Sequence, residues 1–215
     1  MKNFLAIDTG SSYMTVAACV DNKTYLSHRT DCAMRHSTLL MQEVDELLAR
    51  ANAKIGDFDF FAAMVGAGSF TGIRIGISTA KGFALATGKP TLPVTSFELG
   101  AYTVGREKGG KILVLCDALH GNYYAAGYEN DTLVLQPSYL NEEEVLALIK
   151  RDGYLPVSAQ PLDIGGVCAE TFDPAQGLVQ AVIALEKKGA FAPLDALYIR
   201  KSSAELNLEQ GAKAK

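Results

Sequence analysis

The sequence predicts a duplicated α/β fold, two βββαβα halves that face each other across a cleft, and three observations predict it. Phe4 to Leu26 and Leu113 to Leu135 align without a gap and repeat one order: apolar strand, aspartate, glycine-bearing turn, second strand, polar turn, third strand. Each copy is followed by an amphipathic helix, a buried-type strand and another helix. With 215 residues, 48% of them hydrophobic and 20% charged, the chain can bury one good core or two small ones.

The first half is read as residues 1–105. Its first strand ends at Asp8, Gly10 follows in the turn, and Asp21-Asn22 separates the second strand from the third. A helix from about Ser37 to Asn52 carries Leu39, Leu40, Val44, Leu47 and Leu48 on one side. A strand from Phe60 to Val65 leads into the loop VGAGSFTGIRIGIS, where Gly66 and Gly68 give cheap access to positive φ and Ser69 or Thr71 serves as N-cap. The next helix runs from about Gly72 to Thr87 and is closed by Gly88 and Pro90.

The second half, residues 106–200, repeats the meander. Asn141 with Glu144 makes a capping box for a helix to about Asp152. A strand is expected from Leu162 to Val167, and Asp173-Pro174 opens a last helix ending near Gly189. Residues 201–215, polar and without a core pattern, are expected to be a mobile tail.

Charge and targeting narrow the function classes. A net charge of −4, with no dense Lys/Arg run, argues against autonomous nucleic-acid binding, so any RNA contact is expected to be shared. The apolar stretch before Asp8 is too short for a signal peptide and no run reaches membrane-spanning length, which predicts a cytoplasmic protein with no membrane partner. Cys19, Cys32, Cys116 and Cys168 are widely separated and read as reduced, mostly buried thiols.

The glycine-rich loop matches none of the common phosphate or nucleophile registers. Thr71 stands where a dinucleotide fingerprint needs glycine, Gly72 precedes Ile73 rather than lysine, and Ser69 is flanked by Ala67 and Thr71 rather than the glycines of a nucleophile elbow. Its amides either hold an anion or start the helix. Asp8 and Asp117, each at a strand end, are expected to line the cleft. Aspartates so placed position magnesium and phosphate in kinases of this architecture, or simply bond the turn. The nucleotide reading adds the segment Gly10, Ser11 and Ser12 to Asp8 and Asp117.

Other chemistries find less support. His28, His36 and His120 are far apart, His36 reads as a surface or capping residue, and no metal is predicted. Ser69, His120 and Asp117 lack the spacing of a serine-hydrolase site. A nuclease would need more carboxylates than Asp8 with Glu43 or Glu46, and the strand to Val65 ends in glycine. Along the second helix Gly72, Gly76, Ala80 and Ala84 recur every four residues. This small-residue ridge suits close packing, either on a partner helix or on the chain's own sheet.

The stretches AIDTGSS, GAGSFTGIRIGISTAKGFALATGKP, DALHGNYYAAGY and LYIRKS, spread from Ala6 to Ser202, resemble the TsaB (YeaZ) family of actin/hexokinase-like, RNase H-like proteins. Ala67 stands where that family's G-P-G-S-F-T-G-L-R loop has proline. The resemblance implies a non-catalytic subunit of the bacterial complex that installs threonylcarbamoyl on N6 of the adenosine beside the anticodon of tRNAs reading codons that start with A. It implies pairing with a TsaD-like catalytic subunit, a TsaE-like ATPase joining through the complex, a homodimer when alone, and only indirect contact with tRNA. It implies no required cofactor and at most weak ATP or ADP binding at or near the partner interface.

The same resemblance makes the two first-half helices the partner surface: Leu39, Leu40, Val44 and Leu47 on one, Gly72, Gly76, Thr79, Ala80, Phe83 and Ala84 on the other. TsaD-type proteins carry H-x-x-x-H, two imidazoles on one helical face. Ser96 and Gly100 occupy those places here, so no catalytic residue is assigned. The alternative is a small ATPase or kinase of the same fold using Asp8 and Asp117. A peptidase, the label sometimes attached to relatives, lacks both a metal pair and a nucleophile.

Overall fold

The computed structural model describes residues 1–200; the tail expected at 201–215 lies outside them. Strands β1 (Phe4–Asp8), β2 (Met14–Val20) and β3 (Lys23–Arg29) form an antiparallel meander, because the turns between them are too short for any crossover. Asp21 and Asn22 both take positive φ, as a tight hairpin turn requires. Helix α1 (His36–Ala51) supplies the length needed to return β4 (Phe60–Gly66) parallel to β1. Helix α2 (Phe70–Thr87) does the same for β5 (Thr91–Thr95), which pairs parallel with β4.

Helix α3 (Ser96–Gly100) follows at once, started by a capping box between Thr95 and Glu98, and runs through a π-helical turn (Ala101–Gly105) into α4 (Arg106–Lys108). The second meander is β6 (Lys111–Asp117), β7 (Asn122–Glu129) and β8 (Thr132–Asn141). It leads to α5 (Glu142–Asp152), capped as expected by Asn141, whose Oδ1 accepts from the Glu144 amide at 2.9 Å. Strand β9 (Leu155–Ser158) pairs parallel with β6. The short β10 (Asp163–Ile164) and β11 (Val167–Cys168) form a hairpin, β12 (Glu170–Thr171) joins β9, and α6 (Pro174–Lys187) starts on the Asp173 cap. The sheets run β3-β2-β1-β4-β5 and β12-β9-β6-β7-β8, the same order in both repeats.

Two expectations need correction. The run Leu162 to Val167 is not the central strand of the second half; it reverses at Gly165 and Gly166, both at positive φ, into the β10–β11 hairpin. The central strand is β9, whose short Leu-Pro-Val-Ser sequence looks like a loop because proline is uncommon inside strands. The βββαβα reading also omits the closing strands β5 and β12.

The boundary at residue 105 does not separate two bodies. On one face of the first sheet α1 and α2 bury Leu40, Val44, Leu47, Ile73, Ile77 and Ala80 against Leu5, Ile7, Val16 and Phe61. The other face, Phe4, Ala6, Phe60, Leu92 and Val94, is covered by Leu178, Val182 and Leu185 of α6, from the far end of the chain. In exchange, Phe97, Ala101 and Val104 of the α3 segment cover Ile112, Val114 and Val157 of the second sheet. The two exchanged helices meet where a β-carbon on Gly177 would stand 3.1 Å from Leu99 Cβ. Helix α5 closes the outer face of the second sheet through Val145.

Candidate functional site

A cleft of about 430 Å³ opens between the sheets. Gly10, Ser11, Ser12, Ser69, Ser96, Cys116, Asp117, Ser158 and Gln160 are among its lining residues. Among the described residues none of the lining side chains is Lys, Arg or His. Gln160 Nε2 donates to Ser12 Oγ at 2.7 Å, a bond that spans the two repeats across the cleft.

The two aspartates part ways here. Asp117 is at the rim, exposed, with Oδ1 accepting from the Leu119 amide at 2.7 Å. Asp8 does not line the cleft: it is 1% exposed, Oδ1 accepts from the Gly10 amide at 2.9 Å, and Oδ2 is enclosed without a partner in hydrogen-bond geometry. Burial pushes its carboxyl up to about 6, against the lowering pull of the Gly10 amide, the Tyr13 hydroxyl and His36. The expectation that both acids face the cleft is therefore corrected; the packing of β1 beneath Tyr13 and α2 turns Asp8 inward.

The glycine-rich loop is spent on the chain itself. Ser69 caps α2, accepting from the Gly72 amide at 3.3 Å, while its own amide donates to Gly10 O at 2.7 Å. Gly66 and Gly68 allow backbone contact: a β-carbon would fall 2.6 Å from Leu197 O at the first and 2.3 Å from Gly10 O at the second. Burial pushes the Cys116 thiol up to about 11, and it donates to Ser96 Oγ at 3.4 Å, so the cleft's only thiol among the described residues stays protonated at neutral pH.

The remaining candidates have structural partners. His36 is buried rather than on the surface, and Nε2 donates to the Tyr13 carbonyl at 3.1 Å. His28 Nδ1 meets Thr15 Oγ1 at 2.9 Å. Glu43, also buried, binds Ser27 and Arg29. Among the described residues no group of three His, Cys, Asp or Glu is placed to hold a metal, and no helix is long and apolar enough to cross a membrane. Ser96 sits at the cleft, but a β-carbon on Gly100 would lie 2.9 Å from Val114 Cγ1 and 3.1 Å from Phe172, leaving no room for an imidazole. All four cysteines are free; Cys19 and Cys32 are buried, Cys116 is half-buried, and Cys168 is exposed rather than buried.

The second candidate region is the outer face of α1 and α2, and here most of the expected partner residues turn away. Leu40, Val44 and Leu47 are sealed in the first core, and Leu39 and Phe83 pack against its margin. The ridge faces β1: β-carbons on Gly72 and Gly76 would meet Thr9 O at 2.0 Å and Thr9 Oγ1 at 2.7 Å, while Ala80 and Ala84 are buried beside them. What faces outward is a groove of about 530 Å³ whose lining includes Ser37, Met41, Phe70, Arg74, Ile75 and Ser78; of the predicted residues it takes in the half-buried Thr79 and the edge of the buried Leu40. Met41 is 47% and Leu85 87% exposed. The sequence pattern misses this set because an exposed residue leaves no periodic signal of its own.

Residues 28–156 match the family model described as TsaD, tRNA N6-adenosine threonylcarbamoyltransferase. The tRNA threonylcarbamoyladenosine biosynthesis protein TsaB of Escherichia coli K12 is 34% identical over 128 residues, covering 59% of this chain and 55% of that protein. An uncharacterized protein of Mycobacterium tuberculosis H37Rv is 30% identical over 95% of both chains. The fold superposes on YeaZ from Pseudomonas aeruginosa with a TM-score of 0.75 at 21% identity, covering 92% of this chain and all of that one. The alignments to the named TsaB proteins span from 40% to 62% of the length of those relatives.

Proposed function

Since this chain belongs to the TsaB (YeaZ) family, we propose that it is the pairing subunit of the complex that installs N6-threonylcarbamoyladenosine in tRNA. In this reading a TsaD-like partner carries the catalysis, a TsaE-like ATPase joins through the complex, and the chain self-pairs when alone. The work is done in the cytoplasm. No cofactor belongs to this chain, and weak ATP or ADP binding belongs at or near the partner interface rather than in a cleft lined without cations.

One observation carries the reading. Among the described residues the four cores are closed by the chain's own helices, yet Met41, Phe70 and Ile75 line an open groove between α1 and α2, and Leu85 of α2 is exposed. Apolar surface beside an arginine, outside a core already complete, is what a protein interface uses. A non-catalytic role is further supported at Ser96 and Gly100, where the Val114 contact excludes the second ligand of an imidazole pair.

The test is pairing. Met41→Glu with Leu85→Glu places two charges on the exposed face, where they disturb no core. Co-purification with a TsaD-like subunit and light scattering of the chain alone should both show pairing weakened at least tenfold, with the monomer's melting temperature unchanged. Undiminished pairing, or tRNA modification by the purified chain unaided, would overturn the proposal.

A further inference from the structure

Leu197 and Ile199 pack into the core that joins the α3 segment to the second sheet, and this turns the alternate residues Tyr198 and Arg200 outward. Arg200 goes to the second repeat, 5.1 Å from the Tyr139 ring centre, and Tyr198 goes to the first. There Tyr198 stacks on Phe70 with ring centroids 4.8 Å apart and accepts a hydrogen bond from Arg74 Nε at 2.8 Å. The Arg74 guanidinium lies 3.8 Å from the Phe70 ring centre. The segment carrying Tyr198 is itself anchored, since the Leu197 amide donates to Val65 O at 2.7 Å. An arginine so held loses less side-chain freedom when a partner takes it than a solvated one does.

Arg74 is exposed, and it is the only charged residue lining the α1–α2 groove. Across the groove, Ser37 and Met41 of α1 line it from one row of that helix, and the next residue of the row, one turn on, is Asp45. Asp45 is exposed as well. The neighbouring acid, Glu46, accepts from Gln42 Nε2 at 2.9 Å, whereas among the described residues neither Asp45 nor Arg74 has an ion-pair partner. The two helices thus offer one unpaired charge of each sign beside the same groove.

A second copy of the chain is complementary to that pattern. In a two-fold pairing, residue i of one copy meets j of the other and j meets i, so a single match is made twice. We propose that two copies pair face to face through α1 and α2, with Arg74 of each copy binding Asp45 of the other. This rests on the self-pairing reading above and names the contact that sets its register. Arginine takes a carboxylate through paired N–H donors, so the match fixes orientation as well as attraction.

The test is a charge exchange on the full chain, read by size-exclusion chromatography with light scattering. Arg74→Asp leaves acids at both places and Asp45→Arg leaves arginines at both. Each variant alone turns two attractive contacts into two repulsive ones, and should self-pair about tenfold or more weakly than the wild type. Mixed in equal amounts, the two variants bring opposite charges together at both contacts and should pair far better than either does alone. Both positions are exposed, so the melting temperature of each monomer should stay nearly unchanged; if Arg74→Asp loosens Phe70 and Tyr198, Asp45→Arg still carries the test. Tyr198→Phe, which keeps the ring and drops the hydroxyl, should weaken wild-type pairing several-fold and change nothing in an Arg74→Ala chain.

Single variants that self-pair like the wild type, or a mixture that pairs no better than its components, overturn the proposal. Loss of the TsaD-like subunit in Arg74→Asp with self-pairing intact also overturns it, since the arginine's carboxylate then belongs to that subunit. A wild-type chain that does not self-pair removes this inference together with the self-pairing, and leaves the TsaD-like partner of the reading above standing.

Discussion

Gly76 lies so close beneath Thr9 that a β-carbon added to it would stand 2.7 Å from the Thr9 hydroxyl oxygen, the same hydroxyl that donates to Gly72 O at 2.7 Å. The glycines of α2 therefore let the helix settle onto β1. Gly72→Ala should destabilise the chain by about 1–3 kcal/mol, since its β-carbon would strike the Thr9 carbonyl itself. Gly82, with open space around it, should respond the opposite way: alanine there should stabilise by up to about 1 kcal/mol through helix propensity. Urea denaturation of both variants measures the contrast, and equal effects would refute the assignment of the ridge to the sheet.

The buried Asp8 should leave a signature in the pH dependence of stability. Its carboxyl is raised by burial from the usual 3.8 to about 6, so the folded chain holds a proton there that the unfolded chain has released. The neutral acid's contribution is fully present below pH 3.8 and is lost as pH rises through about 6; it amounts to about 3 kcal/mol over that window. Asp8→Asn cannot titrate, so its stability should fall less than the wild type's between pH 4 and about 6.5. Parallel stability profiles for the two proteins would contradict the buried position.

Restoring histidines at Ser96 and Gly100 should not create a zinc site. A side chain at position 100 meets Val114 at 2.9 Å, and even Gly100→Ala should cost about 1–3 kcal/mol. Elemental analysis of the double histidine variant should find no stoichiometric metal; one zinc per chain would show that α3 has more freedom than its packing allows.

The exchanged helix makes a distant substitution felt in the first sheet. Leu178 on α6 packs against Phe4, Ala6, Leu92 and Val94, so Leu178→Ala should cost about 2–5 kcal/mol. Amide exchange should accelerate in β1 and β5 as well as in α6. Acceleration confined to residues after 105 would contradict the cover of the first sheet by α6.

Much of the site's framework was legible because it is local. Ser69, Asn141 and Asp173 announce their helices by side chains that reach amides within the next three residues. The Thr95–Glu98 box was equally readable, and it would have marked the start of α3 and the end of β5. The direction of the Asp8 carboxylate was not legible, since an aspartate at a strand end looks the same whether it faces a cleft or a core. Nor was the Arg74–Tyr198 bond, whose partners lie 124 residues apart.

By itself, then, the sequence determined the repeat, the two three-strand meanders, and where most of the longer helices begin and end, because these follow from backbone propensity, side-chain period and capping over a few residues. Only the tertiary structure decided that α6 covers the first sheet and the α3 segment the second, that the ridge of α2 packs on β1, and that Tyr198 and Arg200 stand outward beside rings from both repeats. The physical reason is that burial belongs to pairs of surfaces. A glycine or a leucine carries its size and apolarity in the sequence, but which neighbour removes it from water is settled only when segments far apart in the chain compete for the same face.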